Sequence, residues 1–556
     1  MYRGAVRRTL ALAVIAASVG VGLPALGSTA RCSDSAWSSF GHDSNHSFAV
    51  SASCSALSTT SVPSLVPAWF FHANDSVTAS PAVANGTVYV GSWDGTFYAL
   101  DAATGLERWQ FVIRTHTRNA FGRIVSSATI QTLPDPTIRG GRPVVIFGGG
   151  SSVWALDAAT GKELTEIDLD PRTSAQQAKD TKAGRVPVVE VESSPAVATI
   201  GNVRRFYVGF DVHNGAHVGR TGLVALTLDR QSNGAWQFSP QWKYDVETTR
   251  TYYGKAGLTV DSGKGFGCGG VWSSPAVDAG SNAVAFGTSS CDFAADAYAA
   301  GENYEENMVS VNATTGKLLW RYRPADALPD KAARVKDADR DADFGASPNL
   351  FKLGARMVVG EGRKSGEYVV RDLLTGHPVS TTLAGQEGLV QSGFGIGGFL
   401  GTTAIGKSSE GTPLVVGATA IPVPRDASGV DRATWSIRGL DPKQGTVAWT
   451  YRIAGPSYGH TSIVNGVALV PDTTTSSVIG LSVATGIPLW VGPVIGPPAS
   501  TAVVDGSSVY VGTGTRETDL EWKAFNSRLE DVFASSLGAS PLSPVSGVQA
   551  FRLPTG

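Results

Sequence analysis

The chain has 556 residues, 42% hydrophobic and 17% charged, with 66 glycines, 29 prolines and a formal net charge of -2. That much apolar material among dense turn formers describes a folded, turn-rich protein and excludes a disordered or collagen-like one. Nearly balanced charge with no basic stripe excludes nucleic acid as an expected partner.

Residues 1–30 read as an export signal: Arg3, Arg7 and Arg8, the apolar run from Ala11 to Leu23, then small residues from Gly27 to Ala30. The apolar run is shorter than the roughly 20 residues a membrane span needs. No later stretch is longer and uninterrupted, so no transmembrane span is expected in the mature chain, which is placed outside the cell or in its envelope. Four cysteines in an oxidising compartment favour two disulfides. Nearest-neighbour pairing joins Cys32 to Cys54 and Cys268 to Cys291, one of three connectivities that the sequence leaves open. Residues 31–64 form an N-terminal extension carrying the first of these, and 65–556 form the main domain.

From residue 79 onward one short pattern recurs. It opens with Ala79-Ser80-Pro81-Ala82-Val83, continues through a second strand at 87–92, and turns at Asp94-Gly95 into a third strand at 96–100. Asp101, Thr104 and Gly105 then turn the chain toward a fourth strand that ends on Trp109. Asp101 and Thr104 are able to cap their own turn, Gly105 supplies a positive φ, and Trp109 offers a flat surface to wedge between sheets. Opening strands recur at Ser80, Ser127, Ser194, Ser274, Ser347, Thr402, Thr461 and Ser500.

Each repeat makes one four-stranded antiparallel blade. The eighth has its third strand at Val548–Arg552 and no residues left for a fourth, whereas Leu65–Phe71 reads as a fourth strand lacking its first three. The two ends complete one blade and remove the open sheet edges. The expected fold is therefore all-β: an eight-bladed β-propeller closed by its N- and C-terminal strands. Insertions fall near 168–190, 243–270, 292–307, 323–343 and 516–545. The last carries a capping box at Thr518 and Glu521 and one apolar face, which predicts a helix.

The run from Tyr98 to Trp109, and that from Val311 through Gly316 to Trp320, resemble the tryptophan-docking motif of the pyrroloquinoline-quinone (PQQ) repeat family. The order of Val271–Asp278, Phe286–Ser290, Asp341–Pro348 and Gly362–Gly366 is similar to that of its quinoprotein alcohol dehydrogenases, the polyvinyl-alcohol-dehydrogenase-like branch above all. The resemblance implies PQQ as cofactor and Ca²⁺ beside it. It makes Trp272 the ring under the quinone, Asp343 the acceptor of the alcohol proton and a calcium ligand, and Lys364 the cation beside the quinone oxygens. At two further calcium positions this chain departs from the family, with His217 where a glutamate is usual and Ser290 where an asparagine is. The chain also contains no Cys-x-x-Cys-His haem motif.

Each of these residues has a plainer structural reading. Propeller tryptophans mostly pack between blades, Asp343 ends an acidic run that starts at Asp337, and a loop lysine such as Lys364 often pairs with a carboxylate. His213 and His217 stand four apart, but Asn214-Gly215 between them argues for a loop. The glycine run from Gly393 to Gly398 leads into a strand and so lacks the context of a phosphate loop. Two functions follow: an exported quinoprotein dehydrogenase oxidising a small alcohol or polyol, or a non-catalytic binding or scaffolding propeller with protein partners at the cell envelope. A monomer is expected for either.

Overall fold

The computed structural model describes residues 37–554 apart from 115–122, most of 171–187, 214–220, 259–266, 292–304, 325–342, most of 385–400, 420–435, 455–456 and 515–544. The export signal, Cys32, His217 and the predicted helix near 518–533 thus lie outside the described residues. The described residues form eight antiparallel blades around an axis. One short α-helix, Gly254–Leu258, and two single-turn 3-10 helices, Ala52–Cys54 and Val62–Ser64, accompany them among the described residues.

Blade 1 shows how the repeat folds. Its strands Ala82–Ala84, Thr87–Gly91, Thr96–Asp101 and Glu107–Val112 pair in chain order. The first three are buried, while the fourth alternates toward solvent. A strand covered by neighbouring blades on both faces reads as a continuous apolar run, whereas an outer strand covered on one face alternates. In the turn, Oδ1 of Asp101 accepts the amides of Ala103 at 3.0 Å and Thr104 at 2.9 Å, and the Thr104 hydroxyl at 2.9 Å.

The outer-strand tryptophan docks on the equivalent turn of the next blade. Trp109 donates its indole N–H to the Ala158 carbonyl at 3.1 Å, and its ring covers Gly161 so closely that a Cβ there would fall 2.5 Å from it. Gly161 also has φ +69, so two independent reasons hold glycine at this place. Trp242 bonds the Ala313 carbonyl in the same way, Trp320 that of Leu373 and Trp449 that of Val483.

The ring closes as the incomplete ends predict. Val66–His72 pairs antiparallel with Gly547–Arg552, which in turn pairs with Ser508–Thr513. Trp69 of this composite blade then docks on the Ala102 carbonyl of blade 1 at 3.2 Å. Blade 3 differs from the sequence reading. Its outer strand runs past Trp242 over Trp236–Asp245, and Val188–Glu190 and Arg250–Tyr253 join the sheet, so parts of two predicted insertions are built into the blade.

A belt of hydrogen bonds lies around the axis. The Ser80 amide donates to Oγ of Ser127 at 2.8 Å, Ser127 to Ser194 at 2.9 Å, Ser194 to Ser274 at 2.9 Å, Ser274 to Ser347 at 2.9 Å and Ser347 to Thr402 at 3.0 Å. Thr402 donates to Nδ1 of His460 at 2.8 Å, and Thr501 returns to Oγ of Ser80 at 3.1 Å. In blades 7 and 8 the belt therefore uses His460 and Thr501, each one residue away from the predicted Thr461 and Ser500.

Three residues past the belt, a second layer crosses the axis. The amides of Val83, Ile130, Val277, Leu350, Ile405 and Ile463 donate to carbonyls of Trp37, Ser38, Ser44, Asn45, Ser47 and Phe48. Residues 37–50 thus run across the inner strands of six blades, with Trp37, Phe40 and Phe48 buried. At about 3.3 Å per residue this layer sits about 10 Å beyond the belt. It closes the axis on the side of the C-terminal ends of the inner strands.

Candidate active site

The opposite end of the axis, where the chain enters the inner strands of blades 4 and 5, carries the predicted site residues. Trp272 stands two residues before Ser274 of the belt and Asp343 four before Ser347. The structure brings Trp272, Asp343 and Lys364 together. Nζ of Lys364 lies 3.1 Å from Oδ2 of Asp343 and 5.4 Å from the centroid of the Trp272 ring. Asp343 is only 4% exposed, while Trp272 is half-buried. A burial that deep suits a carboxylate only with charged or N–H partners, and it has both.

Local chain geometry explains the placement. The Lys364 amide donates to the Asp343 carbonyl at 2.8 Å, fixing the lysine backbone beside the acid. Between them Gly345 leaves room for the lysine stem: a Cβ there would lie 3.1 Å from its Cγ. The neighbouring Arg363 is buried, pairs with Glu367 and holds its guanidinium 5.5 Å over the Phe344 ring.

Ser290 also enters the site, through its backbone. Its amide donates to Oδ1 of Asp343 at 2.6 Å. The segments 268–272 and 287–291 of blade 4 are tied to each other: Ser289 donates to the Gly270 carbonyl at 3.0 Å and Gly269 to the Ser290 carbonyl at 3.2 Å. The Cys268–Cys291 disulfide locks the same two segments, with a Cα–Cα distance of 3.9 Å. Cys54 is likewise disulfide-bonded. Cys268, Cys291 and Glu305 are grouped as metal ligands would be, but the disulfide removes both sulfurs from that role.

His217, the other predicted calcium position, lies outside the described residues, and so does the side chain of His213. The sequence reading did not single out Glu361. This residue is wholly buried on the second strand of blade 5, and both its oxygens lack a hydrogen-bond partner. The corresponding positions in blades 1, 2 and 4 are Val90, Phe147 and Phe286, each paired with the same residue of its third strand. A glutamate where the repeat calls for an apolar residue was the signal available in the sequence. Burial pushes its carboxyl well above the ordinary range.

The eight-bladed ring and its match to a known family define a PQQ-type propeller. The chain belongs to the PQQ family, matching its glucose/ethanol/alcohol dehydrogenase β-propeller domain over residues 37–382. It is 24% identical over 390 residues to a quinate/shikimate dehydrogenase (quinone) of Acinetobacter baylyi, covering 62% of this chain and 44% of that protein. It is 22% identical over 406 residues to the polyvinylalcohol dehydrogenase of a Sphingopyxis species, covering 71% and 56%. The chain thus spans about half the length of these relatives. Among solved structures, a quinohaemoprotein alcohol dehydrogenase of Pseudomonas putida matches with a TM-score of 0.63 at 17% identity, over 94% of this chain and 80% of that one. A europium-containing methanol dehydrogenase matches with the same TM-score at 14% identity, over 94% and 98%.

Proposed function

We propose that this chain is an exported, PQQ-dependent dehydrogenase that oxidises the hydroxyl of a small alcohol or polyol. The observation that carries the reading is the convergence of an indole ring, an ammonium and a buried carboxylate at the end of the axis opposite residues 37–50. A planar, anionic orthoquinone asks for these three: a flat apolar floor, a cation and a base beside it. When bound, the quinone supplies a two-electron acceptor for the hydride that leaves the carbinol carbon.

Asp343 takes the hydroxyl proton as that hydride departs, so the alcohol loses two electrons and two hydrogens and becomes a carbonyl compound. The Lys364 ammonium, 3.1 Å from Oδ2, fixes the carboxylate's position beside the ring of Trp272. Trp272 orients the acceptor by stacking. Export is supported by the Cys268–Cys291 disulfide and by the lack of free cysteines among the described residues.

The test is direct. Purified protein is mixed with PQQ, with and without Ca²⁺, and scored for a quinone absorbance shift and for dye reduction with a panel of primary, secondary and polymeric alcohols. Quinone binding with alcohol-dependent dye reduction is expected. A protein that binds no PQQ at micromolar concentration would be a binding or scaffolding propeller instead.

A further inference from the structure

We propose that the quinone pocket works without a divalent metal, the Lys364 ammonium being the cation it uses. This rests on the quinone reading above and concerns how the same site is charged. The argument starts from the Asp343 carboxylate. Its Oδ1 receives the Ser290 amide at 2.6 Å and its Oδ2 receives Nζ of Lys364 at 3.1 Å. Both oxygens therefore face N–H donors. A calcium ion takes 6–8 oxygen ligands at about 2.3–2.6 Å, and a carboxylate whose two oxygens each serve an N–H donor has less to give it.

The other positions point the same way. Ser290 meets the carboxylate with its backbone N–H, where the resemblance expects an asparagine oxygen on the metal. Position 217 carries an imidazole, which suits transition metals better than a hard ion. The partners described at Asp343 are N–H donors and not the oxygens that surround a calcium ion.

The lysine, in contrast, is held at its backbone, its stem and its head. Its backbone amide bonds the Asp343 carbonyl at 2.8 Å, its stem passes over Gly345 where a Cβ would intrude at 3.1 Å, and its head lies 5.4 Å from the centroid of the Trp272 ring. A preorganised cation in a partly buried site costs no reorganisation when charge develops nearby. Lys364 is thus placed to polarise a carbonyl oxygen of a ligand resting on Trp272, the task a Lewis-acid metal otherwise performs.

The experiment is a titration with PQQ alone of chelator-treated, desalted protein, followed by tryptophan fluorescence and repeated with added Ca²⁺ and with added La³⁺. The dissociation constant is expected to agree within about threefold in all three buffers. Lys364→Met should weaken binding by about tenfold or more with no rescue by Ca²⁺, while Lys364→Arg should keep most of it. Calorimetry of the quinone-free protein with Ca²⁺ should show no heat that Asp343→Asn removes.

Quinone binding that appears only with Ca²⁺ or La³⁺, or a Lys364→Met protein that binds as tightly as the parent, overturns the inference and leaves the dehydrogenase reading standing. No binding in any buffer overturns both. Circular dichroism of each variant separates loss of the cation from loss of the fold, and the metal comparison uses the unaltered chain.

Discussion

The imidazole of His460 accepts the Thr402 amide at 2.8 Å, at a joint of the belt where the neighbouring blades use a hydroxyl. The ring is half-buried beside His46 and Phe40, whose centroids lie 5.0 Å apart, and Phe40 is also 5.0 Å from His460. Burial, together with the charge His46 would carry, pushes His460 down to about 3. Burial pushes His46 down to about 4, only partly offset by Asp43 and by the bond to the Pro348 carbonyl.

The sign follows from which state binds the proton. An unfolded histidine takes one up below its ordinary value of 6.5, while the folded rings stay neutral. Stability is therefore complete above that value and is lost as pH falls toward about 4. Each ring should contribute about 2 kcal/mol of this loss between pH 7 and pH 5. Chemical denaturation at the two pH values measures it. His460→Ser, which restores a hydroxyl to the belt, should show the shallower pH slope whatever its absolute stability, and an unchanged slope would contradict the assignment.

Glu361 predicts dependence on the alkaline side. Its carboxyl stays protonated in the fold, while in the unfolded chain it ionises above the ordinary value of 4.5. Stability due to this group should fall as pH rises from there until the folded carboxyl itself ionises. Glu361→Gln should flatten that decline. Glu361→Leu, matching Val90 and Phe286 elsewhere in the ring, should stabilise the chain by roughly 1–3 kcal/mol at pH 8. Urea midpoints at pH 5 and pH 8 for the three proteins decide it. A leucine variant less stable than the parent at both would show that the carboxyl has partners the packing requires.

The Cys268–Cys291 disulfide ties the segment that leads to Trp272 to the segment whose Ser290 amide holds Asp343. Its sequence separation is 23 residues, so removing it should cost about 3 kcal/mol through loop closure in the unfolded chain. A purely structural crosslink would affect the melting temperature alone. Because this one joins both walls of the site, the double change Cys268→Ser with Cys291→Ser should also weaken PQQ binding about fivefold or more at a temperature where both proteins are folded. Equal affinity would confine the disulfide to stability.

The blades were legible because their signals are local. Asp101, Thr104, Gly105 and Trp109 each act within one turn or on the next one, and the unmatched strands at the two ends implied the closure that Val66–His72 and Gly547–Arg552 make. The gathering of Trp272, Asp343 and Lys364 followed from a resemblance that fixes order along the chain.

What escaped is non-local. Ser80 and its counterparts look like strand-opening residues, and only the offset between blades reveals that each hydroxyl accepts its neighbour's amide. That same offset moved the belt to His460 and Thr501. Residues 37–50 have no strand period over most of their length, since their carbonyls and scattered aromatic side chains, and not one alternating face, meet six blades. Glu361 violates the repeat, but with Arg363 and Lys364 close behind it in sequence it reads as part of a charged loop.

Asp343→Asn is the sharpest probe of the chemistry. The amide oxygen of asparagine still accepts the Ser290 amide, so the 290 segment keeps its anchor. What the substitution removes is the negative charge that pairs with Lys364 and the basic oxygen able to take a proton. If Asp343 is the general base, turnover with the best alcohol should fall by about 100-fold or more, while the dissociation constant for PQQ changes by less than about fivefold. Lys364, relieved of its partner, remains beside Trp272 to meet the quinone. Parallel losses of turnover and quinone binding would assign Asp343 to holding Lys364 in place, and full activity would move the base elsewhere. Single-turnover reduction of bound quinone, compared with fluorescence titration of the same preparations, separates these outcomes.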